Sequence, residues 1–414
     1  MATIETIHSC CAGLDVHKES VVAGIRRLVD GRVDEQVRTF STTTQGLLEL
    51  ADWLVESRVT IAAMESTGVY WKPVWNILEG LLELMLVNAR HVKQLPGRKT
   101  DVKDCMWLAQ LLSCGLLRAS FVPLTPQREL RDLTRTRMSL MQDRTRVVNR
   151  LQKILEDANI KLASVASDVL GVSGRDMIKA LIAGDKTPDQ MAQLSRKRLR
   201  SKIPQLTVAL TGLVSEHHRF MLRMLMDQIE HFDQQVALLD KRIGEVMSPL
   251  EQTAVTMLDE IPGIDRRAAE NILAEIGTNM SQFPTDGHLA AWAGLCPGNN
   301  QSAGKRKSGR MTDGNRWLKA TLSQCAWAAG RKRDSYFYAQ HRRIASRRGV
   351  KRANMAVAHS QLKICWQLLK HGQSYTDLGP NYFNNIDTDR TKRHLVKRLE
   401  KLGFEVKLEK KNAA

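Results

Sequence analysis

Three short apolar runs in the first quarter of the chain each lead into an acid. Asp15 closes the run in AGLDVH and Glu65 closes TIAAMES, while Asp101 and Asp104 follow LELMLVNA inside GRKTDVKDCMWLAQLL. Runs of this length read as buried strands of a mixed sheet, so the acids are expected where those strands deliver their carboxyl ends. Carboxylate oxygens suit a hard cation such as Mg2+ or Mn2+. Two such ions, about 4 Å apart, stabilise both the attacking and the leaving oxygen of an in-line displacement at phosphorus. Asp101 and Asp104 are three apart and share one face if they lie on a helix. A plainer reading stands beside this one: Thr100 and Asp101 make a good helix start, and Asp15 and Glu65 serve as strand-end acids facing water. The four together in one strand-rich stretch favour the metal site.

The order of elements between residues 10 and 120 is α/β. SVVAGIRRL and GRVDEQVRTFST form two strands joined by a turn at Asp30 and Gly31, continuing the first strand as a meander. TTQGLLELADWLVES carries apolar residues at helical spacing. Strand, hairpin, helix, strand, helix, strand, helix is the order of a ribonuclease-H-like fold. A helical region follows. Residues 126–160 read as one helix with a basic flank, 161–205 as short helices with a basic patch from Arg196 to Lys202. Leu222, Leu225, Ile229, Phe232, Val236, Leu239, Ile243 and Val246 then alternate spacings of three and four. Such a seam is what a coiled coil requires, and it packs either on the earlier helix or on another copy of the chain.

IPGIDRRAAENILAEIG has the apolar-Pro-Gly-apolar turn and small-residue helix of a helix-hairpin-helix element, whose turn is either a phosphate contact or a plain connection. Beyond it, LCPGNNQSAGKRKSGRMTDGNRWLK is rich in Gly, Asn and Ser and reads as a flexible, cation-rich loop running into a helix. From Lys305 to Arg352 about fifteen Lys or Arg stand against two acids, Asp313 and Asp334, a bias that suits phosphate. Lys305, Arg306, Lys307, Arg310 and Arg316 are the candidate nucleic-acid contacts. Ser302 stands in this loop, where composition alone marks a serine as structural, because no base is fixed beside it by sequence.

The net charge of +18 points to a polyanionic partner, nucleic acid first, and to a nucleoid-associated place in the cytoplasm. No apolar run approaches the roughly 20 residues of a membrane span, and the N-terminus lacks the pattern of a secretory signal. Seven cysteines without a CxxC pair fit a reducing cytosol. Cys10, Cys11, His8 and His17 match no common zinc spacing.

The four acids, the GLDVHKES start, the ESTGVYW turn and the GRKTDVKDCMWLAQLL helix together resemble the DEDD-type insertion-sequence transposases, the IS-one-ten and IS-eleven-eleven family of bridge-RNA-guided recombinases. IPGIDRRAAENILAEIG and FPTDGHLAAWAGLCPGNNQSAGKRKSGRMTDGNRWLKATLSQCAWAA are similar to the family's second domain. The resemblance implies a RuvC-like nuclease domain over 1–125, a helical coiled-coil linker over 126–250, a C-terminal transposase domain over 251–375 and a basic tail over 376–414. It implies that Asp15, Glu65, Asp101 and Asp104 hold a divalent metal and that Ser302 attacks DNA to become covalently linked to phosphate. Many relatives read Ser-Gly-Gly here, whereas this chain has Ser302, Ala303 and Gly304, and Ser308 is a competing candidate. Acids and serine of one composite site come from different subunits in the family, which implies a dimer or tetramer, with element and target DNA and a structured noncoding guide RNA as partners. Two other functions use the same residues differently. A junction-type metal nuclease attacking with water makes Ser302 dispensable, and a non-enzymatic nucleic-acid-binding protein makes the acids structural.

Overall fold

A computed structural model describes residues 7–29, 31–66, 68–88, 104–298, 300–386 and 388–408. The chain divides into two compact units, Met1–Pro123 and Leu124–Ala414.

The first unit is a five-stranded mixed sheet: β1 (Cys10–Val16), β2 (Ser20–Val29), β3 (Arg32–Ser41), β4 (Ile61–Glu65) and β5 (Glu83–Val87), in the order β3-β2-β1-β4-β5. The meander is antiparallel, and β1, β4 and β5 run parallel. Helices α1 (Thr44–Glu56) and α2 (Trp71–Leu78) and a third, α3 (Asp104–Ser113), complete the described elements. Thr43 caps α1 by accepting from the Gly46 amide, removing one orphan donor at the helix start. Strand alternation sorts the core. Ala12, Leu14, Val16, Val21, Ala23 and Ile25 pack with Leu47, Leu50 and Leu54 of α1. Cys11, Ile61, Ala63 and Val87 face the other way, onto Leu108, Leu111 and Leu112 of α3. The edge strand β3 is almost wholly exposed and carries the Arg26–Glu35 cross-strand ion pair. This mixed sheet is consistent with a RuvC-like α/β start. Gly31 takes the positive φ of the β2–β3 turn (74°), while Asp30 lies outside the described residues.

Among the described residues the second unit is helical apart from one hairpin. Its long helices α4 (Thr125–Asp157) and α7 (Glu216–Val246) bracket short ones that include α5 (Val172–Ala183) and α6 (Ile203–Leu210). Pro126 sits in the first turn of α4, where its missing N–H costs nothing. Val147, Leu151 and Leu155 share a core with Leu222, Leu225 and Ile229. Arg137 pairs with Asp240 at 2.8 Å and Arg144 with Asp233 at 2.5 Å. One index rises as the other falls, so α4 and α7 form an antiparallel pair. The heptad seam from Leu222 to Phe232 is therefore covered by the chain's own α4 and short helices.

Then come α8 (Pro249–Asp259), α9 (Arg266–Ile276), α10 (Asp286–Trp292), β6 (Asn300–Ser302), β7 (Lys305–Ser308), α11 (Arg316–Ala329), α12 (Tyr336–Arg348), α13 (Val350–His371) and α14 (Thr388–Glu400). The Pro-Gly turn between α8 and α9 faces inward. Gly263 has φ +86°, a Cβ there would lie 2.3 Å from the Cys325 carbonyl, and the buried Gln361 Nε2 donates to the Pro262 carbonyl at 3.0 Å. No helix among the described residues is long and apolar enough to cross a membrane.

Candidate functional site

Asp15 is the penultimate residue of β1 and Glu65 the last of β4. The two strands are parallel with Leu14 opposite Met64, so the next residue on each is the acid. Both acids fall on the face that carries Cys11, Ile61 and Ala63, the face covered by α3. Two glycines let α3 settle against that face. Gly13 and Gly24 are direct partners across β1 and β2. A Cβ on Gly13 would lie 2.0 Å from the Cys105 carbonyl, and one on Gly24 would lie 2.5 Å from Met106 Sδ. The backbone of α3 thus rests on a trough without side chains, and Asp104, its first residue, is delivered beside the sheet end. Burial pushes the Cys105 thiol up, and the charges of Asp15 and Asp104 push it further; both carboxylates act on the same neighbour. Asp15 Oδ2 lies 3.2 Å from His17 Nε2.

Asp101 lies outside the described residues. Among the described residues, no group of three His, Cys, Asp or Glu closes into a metal site. The donor chemistry of Asp15, Glu65 and Asp104 nevertheless fits a hard cation, because all three are carboxylates, two on one face of the sheet and one at the start of the helix that covers it. It does not fit zinc at Cys10 and Cys11: Cys11 is fully buried, donates to the Ala109 carbonyl at 3.3 Å, and is pushed up to about 12 by burial.

The segment around Ser302 is a hairpin and not an irregular loop. Gly294 and Gly314 touch at its base, where a Cβ on Gly314 would lie 2.3 Å from the Gly294 nitrogen. Upward from there, Thr312 donates to the Cys296 carbonyl, Pro297 bridges Met311, Gly298 donates to the Arg310 carbonyl at 2.9 Å, and Asn300 pairs with Ser308. A bulge then shifts the register, and Gln301 pairs with Arg306 and Ser302 with Lys305. Ser302 is therefore the last paired residue before a two-residue turn. That turn is Ala303 (φ 49°) and Gly304 (φ 73°), both left-handed, the conformation that two-residue hairpin turns demand. Ser308 stands lower, at the bulge.

Lys305 is exposed beside this tip, Arg310 is exposed lower on the second arm opposite Gly298, and Arg316 stacks over the Trp317 ring at 5.0 Å. Arg306 and Lys307 belong to β7. A second group of cations was not singled out in the sequence. Arg347, Arg348, Lys351 and Arg352 are exposed at the corner where Gly349 (φ 83°) joins α12 to α13. The signal for them was the charge bias itself, with Asp334 the one acid between residues 331 and 352.

Comparison with known proteins bears on both units. Residues 12–160 match a DEDD-type family model described as Transposase, and residues 255–342 match one described as Transposase IS116/IS110/IS902 family. The chain is similar to the transposase for insertion sequence element IS1111A of Coxiella burnetii, with 22% identity over 83% of this chain and 86% of that protein. It is 25% identical to the insertion element IS116 uncharacterized 44.8 kDa protein of Streptomyces clavuligerus, over 72% of this chain and 82% of that one. A shorter stretch, 18% of this chain and 24% of the relative, is 33% identical to a pilin gene-inverting protein of Moraxella bovis.

Proposed function

The chain belongs to the IS110-type, DEDD transposase family, and on that premise we propose that it excises and inserts a mobile DNA element by metal-assisted strand cleavage and exchange through a phosphoserine link. The observation that supports this reading is that Asp15 and Glu65 stand at the same end of neighbouring parallel strands, while Ser302 pairs with Lys305 beside the turn of a cation-rich hairpin.

Asp15, Glu65 and Asp104, with Asp101, would hold the divalent metal, Mg2+ or Mn2+, which supplies charge neutralisation at the scissile phosphate. Lys305, Arg306, Lys307, Arg310 and Arg316 hold and orient the DNA backbone against the hairpin, and the corner at Gly349 extends that contact. Ser302 Oγ attacks phosphorus. The Oγ–P bond forms as one P–O bond to deoxyribose breaks, the hydroxyl proton is lost from Oγ, and the released deoxyribose oxygen takes up a proton. The phosphoester keeps the bond energy, so a second DNA hydroxyl displaces the serine and rejoins the strand without an external energy source. Acids and serine meet in an assembly of two or four copies, and a structured RNA, held through shape and backbone, selects the target by base pairing.

The test is excision in cells, read by amplifying the circular junction of the element at equal protein level. Junctions from wild type and from neither Asp15→Asn nor Ser302→Ala are expected. Junctions that persist with Ser302→Ala and vanish with Asp15→Asn would replace this mechanism with water attack or with Ser308 as nucleophile.

A further inference from the structure

The hairpin that carries Ser302 is tied at its base to one buried carboxylate. Glu275, 2% exposed, is the penultimate residue of α9 and receives Arg135 in a two-pronged ion pair, Nε to Oε1 at 2.6 Å and a terminal nitrogen to Oε2 at 2.8 Å. Arg131 donates to the Ala274 carbonyl at 3.0 Å and to the Glu275 carbonyl, fixing the backbone under the same carboxylate. Arg131 Nε also lies 3.5 Å from Glu275 Oε2, and Asn315 Nδ2 donates to the same oxygen at 2.5 Å. Asn315 follows Gly314, the end of the hairpin's second arm. Its Oδ1 accepts from the Trp317 and Leu318 amides at 3.0 and 3.1 Å and so caps α11. One side chain therefore joins the hairpin base, the start of α11 and the end of α9.

From these contacts we infer that Glu275, acting through Asn315, is a positioning residue that sets the angle at which the hairpin presents Ser302; this rests on the serine reading above. The lever is long. On the second arm Lys305, the partner of Ser302, stands six residues from Met311, about 20 Å at roughly 3.3 Å per residue. A tilt of about 3° at the base then moves the tip by about 1 Å, a misplacement that costs on the order of 100-fold in rate where a nucleophile must meet phosphorus in line. At the turn itself a Cβ on Gly304 would meet nothing within 4 Å, so the contacts at the base bear directly on orientation. A charge buried between two arginines suits that task, because a carboxylate with fixed partners does not reorient without losing several charge-assisted bonds at once.

The experiment uses the full chain with saturating element-end DNA. Asn315→Asp retains a helix-capping oxygen but loses the donor and sets carboxylate against carboxylate. Asn315→Ser retains a neutral cap without the donor and guards against misfolding of the first variant. Glu275→Gln combined with Asn315→Asp restores the hydrogen bond with donor and acceptor exchanged. Three quantities are read: the rate of covalent protein–DNA adduct formation, DNA affinity, and hydrogen exchange of the hairpin amides such as Gly298. Both single variants are expected to exchange faster in the hairpin and to form adduct about 100-fold more slowly, with affinity nearly unchanged. The double variant is expected to recover most of both. Single variants with wild-type adduct rate and exchange, or a double variant no better than Asn315→Asp, would overturn the inference. If wild type itself forms no adduct, the serine reading fails, while hairpin exchange still decides whether Glu275 holds the base.

Discussion

Replacing Gly13 with alanine tests whether the acid site depends on how deeply α3 sits in the sheet. The added methyl would start 2.0 Å from the Cys105 carbonyl and 2.7 Å from the Ala109 nitrogen, both backbone atoms that cannot rotate away. Ordinary contact begins at 3.4 Å, so α3 must retreat by about 1.4 Å, and Asp104 moves with it. Forced expansion of a packed core costs roughly 1–3 kcal/mol, and a shift of about 1 Å in a catalytic group costs on the order of 100-fold in rate. Gly244→Ala is the matched control, because nothing lies within 4 Å of a Cβ there and the residue is inside α7; alanine in a helix interior gains about 0.5–1 kcal/mol over glycine. Denaturant unfolding of the full chain and single-turnover cleavage of element-end DNA give both numbers. The expected result is opposite signs in stability and a rate loss for Gly13→Ala alone. Wild-type cleavage with a stability change below about 0.5 kcal/mol in Gly13→Ala would refute the link between the glycine trough and the acids.

Ile229→Glu places a carboxylate where the structure leaves no exposure, between α7 and α4. It should cost about 4 kcal/mol or more and unfold that core, seen as loss of helical circular dichroism; a folded variant with reduced mass by light scattering would instead put the seam between copies. Ala303→Gly should relieve a left-handed alanine (φ 49°), worth about 1–2 kcal/mol, and slow hairpin exchange, whereas faster exchange at Gly298 would show that the turn is not strained in solution.

The sheet, α1, α4 and the Pro-Gly turn leading into α9 were legible in the sequence because each is encoded locally, by period-two or period-3.6 spacing bounded by turn residues. The placement of Asp15 and Glu65 followed from the same pattern, since a strand's end is where its apolar run stops. What the sequence left open was which partner covers the seam at Leu222 to Phe232. Periodicity specifies a face but not its occupant, and the occupant is α4 with the short helices between. The hairpin around Ser302 reads from the sequence as a flexible, cation-rich loop because its strands are three and four residues of Asn, Gln, Ser, Lys and Arg with no apolar alternation. Its order comes from backbone pairing and from Glu275, forty residues before Asn315. The Gly13–Gly24 trough is equally invisible in one dimension, since two glycines in different strands announce nothing until register pairs them.

The most direct measurement is to trap wild-type protein on labelled element-end DNA, digest it, and locate the DNA-linked residue by mass spectrometry, with and without a chelator. A phosphodiester bond to Ser302 that forms only with divalent metal, and not in Asp15→Asn, is the predicted result. Cleaved DNA with no covalent protein, or a link at Ser308, would contradict the account.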